Sequence, residues 1–394
     1  MIDQQGDNLV FLLSLPRSGS TMLGLMLGSH PEICCPPEPW IVLALAEYLE
    51  LGEVRRAPYG RGWAEFAAFE FLLNAERKER GVLSRTLQRI GRNISGDRMA
   101  AARQILRSLY GLHLQLEGKK VFVDKTPRYL TMPGILNELF PRAKKILLLR
   151  NPLDIFASYS ASWNVSRDIF LQNGVSEHTR DFCECLFTLA EYITTAQDDI
   201  LVLRYEDIVN SPAEGLRKIC DFTGLTFSPD MMAYGDNSEL IDAYRRSPVG
   251  DPIGPAGPKP ITPQAANAWE QRLVRDDIQA LVNVVGVEIF ERLGYVDVLA
   301  RLKELAYNLP TEGQASENRT MLMRTLMDRV QEPPFSSWDY FTAPSLQYRE
   351  EKRLERQLNA LNDHLEQILS SNSWRLTKPF RWIRRKLSFK LPLS

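Results

Sequence analysis

The sequence predicts an α/β fold built on a parallel β-sheet with helices on both faces. Two observations carry that prediction. Short, continuous apolar runs alternate with stretches of helical periodicity, the pattern of strands covered on both faces and joined by crossover helices. Polar clusters follow the carboxyl ends of those runs, at Arg17, Asp124, Arg150 and Tyr205, and a parallel sheet binds its ligands at that edge.

Each element has its own justification. "NLVFLLSL" (8–15) is an unbroken apolar run and reads as the first strand. "TMLGLMLGS" (21–29) is too densely apolar for a surface strand and suits a buried first helix. Residues 47–118 hold Arg, Glu and Leu at helical spacing and read as a helical insertion. "KKVFVDKTP" is a strand ending at Asp124, and "AKKILLLRNP" a strand ending at Arg150. A helix follows over 152–164, with Pro152 and Asp154 supplying the chemistry of a helix start. A second helical stretch covers 177–197, and "DDILVLRYEDI" is a strand ending near Tyr205.

"SPVGDPIGPAGPKPITP" (247–263) can form neither a helix nor a central strand. A helical pattern resumes at once over 264–295, so this segment is expected to be a loop inside the domain. One domain is therefore expected over 1–300, a loose connector over 301–350 and a separate tail over 351–394. Leu354, Leu358, Leu361, Leu365 and Ile368 form a short heptad seam suited to a homodimer over 354–368. The last 22 residues hold seven Arg and Lys and no acid, interleaved with Trp374, Phe380, Trp382 and Phe389. That composition suits a helix lying peripherally on an anionic membrane.

Composition sets outer bounds. The 394 residues carry a net charge of −1, with 44% hydrophobic and 25% charged residues, ordinary values for a globular protein. No nucleic-acid partner is expected from such a charge balance. Cys34, Cys35, Cys183, Cys185 and Cys220 make no C-x-x-C pair and have no histidine at metal spacing. Reduced, buried thiols are expected, not a zinc site or a disulfide frame. The N-terminus lacks a basic leader and its apolar run is too short for a signal peptide or a span, so the expected location is cytoplasmic.

The chemistry is concentrated in "LLSLPRSGSTML" (12–23). A strand, a tight loop of small residues and a helix start together offer backbone N–H groups and a positive dipole end to an anion. Arg17 adds a planar, permanent positive charge. The nucleotide-binding pattern G-x-x-x-x-G-K-[ST] is not met, because no lysine precedes the Ser/Thr and no glycine opens the loop. A P-loop kinase or NTPase is therefore the weaker reading. In "LLLRNPLDIFASYSASW", Arg150 ends a strand and Ser158 lies inside the next helix, where the two can grip a second phosphate. Two phosphate sites on one sheet imply a nucleotide phosphorylated at two separate positions.

With these residues the chain resembles the sulfotransferases that use 3′-phosphoadenosine 5′-phosphosulfate. "LPRSGSTML" looks like their 5′-phosphosulfate loop and "RNPLDIFASYS" like their 3′-phosphate segment. "VDKTPRYL" and "LRYEDIVNSPAEGLRKICDFTGL" are also typical, so the resemblance covers about residues 8–294. "SHPEICCPPEPW" and "KPITPQAANAW" point to the branch with bacterial carbohydrate and tyrosylprotein sulfotransferases. The resemblance implies a P-loop-type sheet, the donor 3′-phosphoadenosine 5′-phosphosulfate and no required metal.

It also implies roles for individual residues. Glu38, on the stiff "CPPEPW" loop, takes the place of the family's general base, with Glu32 as second candidate and His30 as a structural residue. Lys125 reaches the sulfuryl oxygens, oriented by Asp124 and Thr126. Arg17, Ser18, Gly19, Ser20 and Thr21 hold the 5′-phosphosulfate, and Arg150 and Ser158 the 3′-phosphate. Lys259 closes over the cofactor. Tyr205 packs near the nucleotide or belongs to the core, and Trp269 is expected in the core.

The acceptor stays open. Trp40, Trp63 and Phe66 are candidate stacking surfaces for it. The tail resembles the ends of some bacterial glycosyltransferases, which suggests a glycan or glycolipid acceptor at the inner membrane face. A non-catalytic, membrane-associated adaptor on the same fold is the remaining alternative.

Overall fold

The computed structural model describes residues 1–51, 60–92, 94–163, 177–195, 199–247, 250, 258 and 261–329. Five strands, β1 (Leu9–Ser14), β2 (Ile33–Cys34), β3 (Val121–Lys125), β4 (Lys144–Leu149) and β5 (Ile200–Arg204), form one parallel sheet in the order β2-β3-β1-β4-β5. β1 is central, with Leu12 level with Lys125 on one side and Ile146 on the other. The chain leaves β1 towards β2 and later returns to its other side with β4, so the crevice beyond β1 is the topological switch point where such sheets bind ligands.

Strand alternation divides the core. Leu9, Phe11, Leu13, Phe122, Leu147 and Leu149 face one layer; Val10, Leu12, Val123, Ile146 and Leu148 face the other. The second layer is covered by α1 (Ser20–Gly28), which follows β1, and by the later α9 (Tyr205–Asn210), α10 (Pro212–Thr223) and α11 (Ser238–Arg246). The first layer is covered by α2 (Ile41–Leu49), α3 (Gly60–Lys78), α4 (Val82–Arg92) and α5 (Arg98–Glu117), then α6 (Pro133–Leu139), α7 (Pro152–Trp163) and α8 (Glu177–Tyr192). Helices α3 to α5 fill the expected insertion between β2 and β3. Tyr110 of α5 stacks on Phe122 of β3 at 4.4 Å, which seats the insertion on the sheet.

Three features depart from the sequence expectations. β2 was not foreseen, because two residues are too few to leave a periodic signal and pair only by lying against Val121 and Phe122. The helical stretch over 264–295 is divided into α12 (Trp269–Arg272) and α13 (Arg275–Arg292), and α13 is interrupted at Gly286 (φ 76°). The connector expected at 301–350 does not begin as one. α14 (Val296–Glu304) and α15 (Glu312–Arg329) pack onto α13, and Leu302 and Leu322 join the main core. A Cβ at Gly286 would lie 2.6 Å from that of Ala315, so the glycine permits this close approach.

The rest of the expected connector, the heptad seam at 354–368 and the basic tail lie outside the described residues, as does most of 247–263. No helix among the described residues is long and apolar enough to cross a membrane. All five cysteines are free and buried.

Candidate active site

Four strand ends deliver the site to one edge of the sheet. The loop after β1 turns sharply because Arg17 (φ 68°) and Gly19 (φ 88°) both take left-handed backbone conformations. Gly19 caps α1 without a side-chain bond, and such a helix start presents its first N–H groups to an anion. Ser18, Ser20 and Thr21 are buried beside it, and the Ser18 hydroxyl has no partner among the described residues. A buried, unsatisfied hydroxyl at an uncapped helix start is what an oxyanion ligand would satisfy.

Tyr205, the first residue after β5, packs directly on this loop. A Cβ built on Gly19 would sit 2.5 Å from two atoms of the Tyr205 ring. Gly19→Ala therefore meets both a rigid ring and an unfavourable φ. A loss of about 1–3 kcal/mol is expected in urea denaturation, with weaker nucleotide binding; unchanged stability would show that the loop yields freely.

The loops after β4 and β1 are tied together. The Arg150 guanidinium donates to the Arg17 carbonyl (2.8 Å) and lies 4.4 Å from the Tyr205 ring centroid. The Arg17 guanidinium reaches α7, donating to Ser158 (3.1 Å) and Ser162 (2.8 Å). Burial, reinforced by the nearby Arg150 cation, lowers the Arg17 guanidinium to about 10, so it stays charged at neutral pH. Two neighbouring guanidinium groups, Arg150 buried and Arg17 half-buried, favour an anion between or beside them. Asn151 and Asp154 hold this corner in place. Asn151 caps α7 through Leu153 N–H (3.1 Å), and Asp154 accepts from the N–H groups of Asn267 (2.8 Å) and Trp269 (2.9 Å). Trp269 itself is buried in the core.

The second half of the site is a buried ion pair. Lys125, at the end of β3, lies 2.8 Å from the Glu38 carboxylate, with side chains 1% and 7% exposed. The other Glu38 oxygen accepts from the Trp40 indole N–H (2.9 Å). The Lys125 ammonium sits 5.4 Å from the Tyr244 ring centroid, within cation–π range. Gly24 of α1 makes room for this arrangement, since a Cβ there would meet the Tyr244 hydroxyl at 2.5 Å and Lys125 Cε at 3.5 Å. A Cβ at Gly250 would come within 3.2 Å of the Glu38 carboxylate, so this wall also is made of backbone. Tyr244 left no mark in the sequence. Gly24 did, as a glycine inside a helical pattern where a close approach is the usual reason.

Asp124 does not orient Lys125, contrary to the expectation. Successive strand residues point to opposite faces, so the two carry their charges to different sides of the sheet. Asp124 accepts from the hydroxyls of Tyr110 (2.5 Å), Thr126 (2.8 Å) and Tyr129 (3.3 Å). Burial raises its carboxyl to about 6, partly offset by those three hydrogen bonds.

The remaining candidates are placed as follows. His30 is buried, with Nε2 on the Thr226 carbonyl (2.8 Å) and Nδ1 accepting from Glu32 N–H (3.0 Å). Glu32 pairs with Lys120. Trp40 is 5% exposed, so it offers no stacking surface and instead secures Glu38. Lys259 and the side chains of Trp63 and Phe66 lie outside the described residues. Among the described residues no group of three or more His, Cys, Asp or Glu side chains is arranged to hold a metal.

The chain is similar to known proteins over most of its length. The profile of the Sulfotransferase family matches residues 9–229. The chain is 31% identical over 317 residues to the nodulation protein NoeE of Sinorhizobium fredii (strain NBRC 101917 / NGR234), covering 75% of this chain and 67% of that protein. It is 21% identical over 311 residues to protein-tyrosine sulfotransferase 2 of Gallus gallus, covering 73% and 69%. Among solved structures, the sulfotransferase domain from the curacin biosynthetic pathway superposes with a TM-score of 0.47 at 20% identity, covering 76% of this chain and 98% of that one.

Proposed function

This chain belongs to the sulfotransferase family, and from that premise we propose that it transfers the sulfuryl group of 3′-phosphoadenosine 5′-phosphosulfate to a hydroxyl on a glycan or glycolipid. The observation that supports the donor most directly is the joining of the two anion loops. Arg150 is bonded to the Arg17 carbonyl and Arg17 to Ser158, so the two loops lie side by side beyond β1 and β4, which supports a ligand with two anionic groups. Arg17 and the Ser18–Thr21 loop hold the 5′-phosphosulfate, Arg150 and Ser158 the 3′-phosphate. Tyr205 braces both loops, and Lys259 closes over the nucleotide.

In the transfer, the acceptor oxygen attacks sulfur and the bond from sulfur to the bridging phosphate oxygen breaks. Glu38 takes the acceptor proton. Lys125 and Arg17 stabilise the sulfuryl and departing oxygens, leaving a sulfate ester and adenosine 3′,5′-bisphosphate. A sulfuryl group carries less charge than a phosphoryl group, so these fixed cations suffice and no metal is needed in the step.

The glycan reading rests on the basic, aromatic tail and its resemblance to the ends of bacterial glycosyltransferases. The same tail supports a peripheral position at the inner membrane face, and the heptad seam a homodimer. The likeness to a protein-tyrosine sulfotransferase over most of the chain favours tyrosine as the second acceptor class. Labelled donor offered to cell-envelope extract and to tyrosine peptides separates the two; label on peptide alone would overturn the glycan reading.

The donor is tested by calorimetry. Adenosine 3′,5′-bisphosphate should bind more tightly than AMP, and Arg150→Ala should weaken it by about 1.5–3 kcal/mol, roughly 10- to 150-fold. Equal affinity for the two nucleotides would remove the two-phosphate argument.

A further inference from the structure

The cluster around Asp124 is a buried polar assembly beside the site that the proposed reaction does not use. Asp124, Thr126 and Tyr129 are fully buried, as is Tyr110. A carboxylate in such a place needs a reason, since each buried polar group costs free energy unless fully bonded.

The hydrogen bonds show where the cluster leads. The Thr126 hydroxyl donates to Asp124 and accepts from the Trp40 backbone N–H (3.4 Å). The Tyr129 hydroxyl donates to the same carboxylate (3.3 Å) and accepts from the Val42 N–H (3.1 Å). Both donor N–H groups lie at the start of α2, whose cap residue Trp40 provides no side-chain bond to the helix and sits at φ 51°. A helix start normally satisfies its N2 amide with a Ser, Thr, Asp or Asn side chain from the cap. Here hydroxyls from the β3 turn take that role, each oriented by one carboxylate. A Trp in left-handed conformation is held only where its surroundings compel it. Trp40 is the residue whose indole N–H grips Glu38.

We propose that Asp124 is a positioning residue for Glu38. Through the Thr126 and Tyr129 hydroxyls it fixes the start of α2, and through Trp40 it fixes the carboxylate that faces Lys125. The strand therefore serves the site from both faces: Lys125 contacts Glu38 directly, and Asp124 sets the backbone from which Glu38 is held. Asp124 contacts no reacting atom in this scheme. Its negative charge keeps two hydroxyl hydrogens pointing at itself, which leaves the oxygen lone pairs free for α2.

Tyr110 supplies an internal control. It bonds the same carboxylate, but its ring stacks on Phe122 and it sends no hydrogen bond to α2 among the described residues. Tyr110→Phe therefore removes a hydroxyl that shares the Asp124 oxygen with Tyr129 but leaves both hydrogen bonds to α2 in place.

The proposal rests on Glu38 as the base. In full-length protein, Thr126→Val and Tyr129→Phe should each lower kcat at least about tenfold, and Asp124→Asn about a hundredfold, the scale of a misplaced catalytic group. Affinity for adenosine 3′,5′-bisphosphate should stay within about twofold of the parent value. Thr126→Ser, which keeps the hydroxyl, should restore kcat, and Tyr110→Phe should keep it. Thermal denaturation of each variant establishes that it folds; where Asp124→Asn does not, the Thr126 and Tyr129 variants carry the test. Full kcat in Thr126→Val and Tyr129→Phe, or an equal kcat loss in Tyr110→Phe, would overturn the relay while an inactive Glu38→Gln left the base assignment standing. An active Glu38→Gln would remove the base assignment, and this proposal with it.

Discussion

Glu38→Gln is expected to lower turnover by about 10²–10⁴-fold while leaving the affinity for adenosine 3′,5′-bisphosphate unchanged. Glutamine keeps the volume and one acceptor oxygen, so it can still receive a hydrogen bond from Lys125 or from the Trp40 indole. What it cannot do is take up the acceptor proton. The carboxylate is 7% exposed and approached by the Gly250 backbone, so bulk water is poorly placed to substitute as base. The nucleotide loops touch Glu38 only through the protein frame, which is why binding and turnover should separate. A variant that retains most of its turnover would remove Glu38 from the proton-transfer step and leave the donor assignment standing.

What the sequence disclosed, and what it did not, follows from how each contact is encoded. β1, β3, β4 and β5 are visible because strands covered on both faces are unbroken apolar runs. β2 is invisible because its two residues exist as a strand only through their partner. The sequence of α15 suggests a connector because its surface is polar and its attachment depends on Ala315 meeting Gly286 and on Leu322, contacts made at long range.

The site divides in the same way. Arg17 to Thr21, and Arg150 with Ser158, are legible because each set is continuous with a strand end. The Glu38–Lys125 pair spans 87 positions, and only the family resemblance linked the two residues to one reaction. Adjacency in sequence suggests that Asp124 serves Lys125. Strand alternation separates them, and only the folded chain shows that Asp124 works on α2.

Lys125→Met should be the most damaging single change in the site, costing about 3–5 kcal/mol of stability and nearly all turnover. The reason is the partner it leaves behind. A buried ion pair gains little over an apolar replacement, but removing one member strands an uncompensated charge. With Lys125 gone, Glu38 would keep only the Trp40 indole among its described partners. The double variant Glu38→Gln/Lys125→Met removes both charges, and it should regain most of the lost stability without regaining turnover. Urea denaturation of the four proteins closes a thermodynamic cycle, and a coupling at the upper end of the range for residues in contact, about 3 kcal/mol, is expected. If the double variant were as unstable as the sum of the single changes, the two side chains would not form a working pair. The pairing also bears on the proposed chemistry. When Glu38 takes the acceptor proton, its charge is neutralised and its hold on Lys125 weakens. The ammonium then becomes available to the oxygen that departs with the nucleotide, so proton removal from one substrate strengthens the stabilisation of charge on the other.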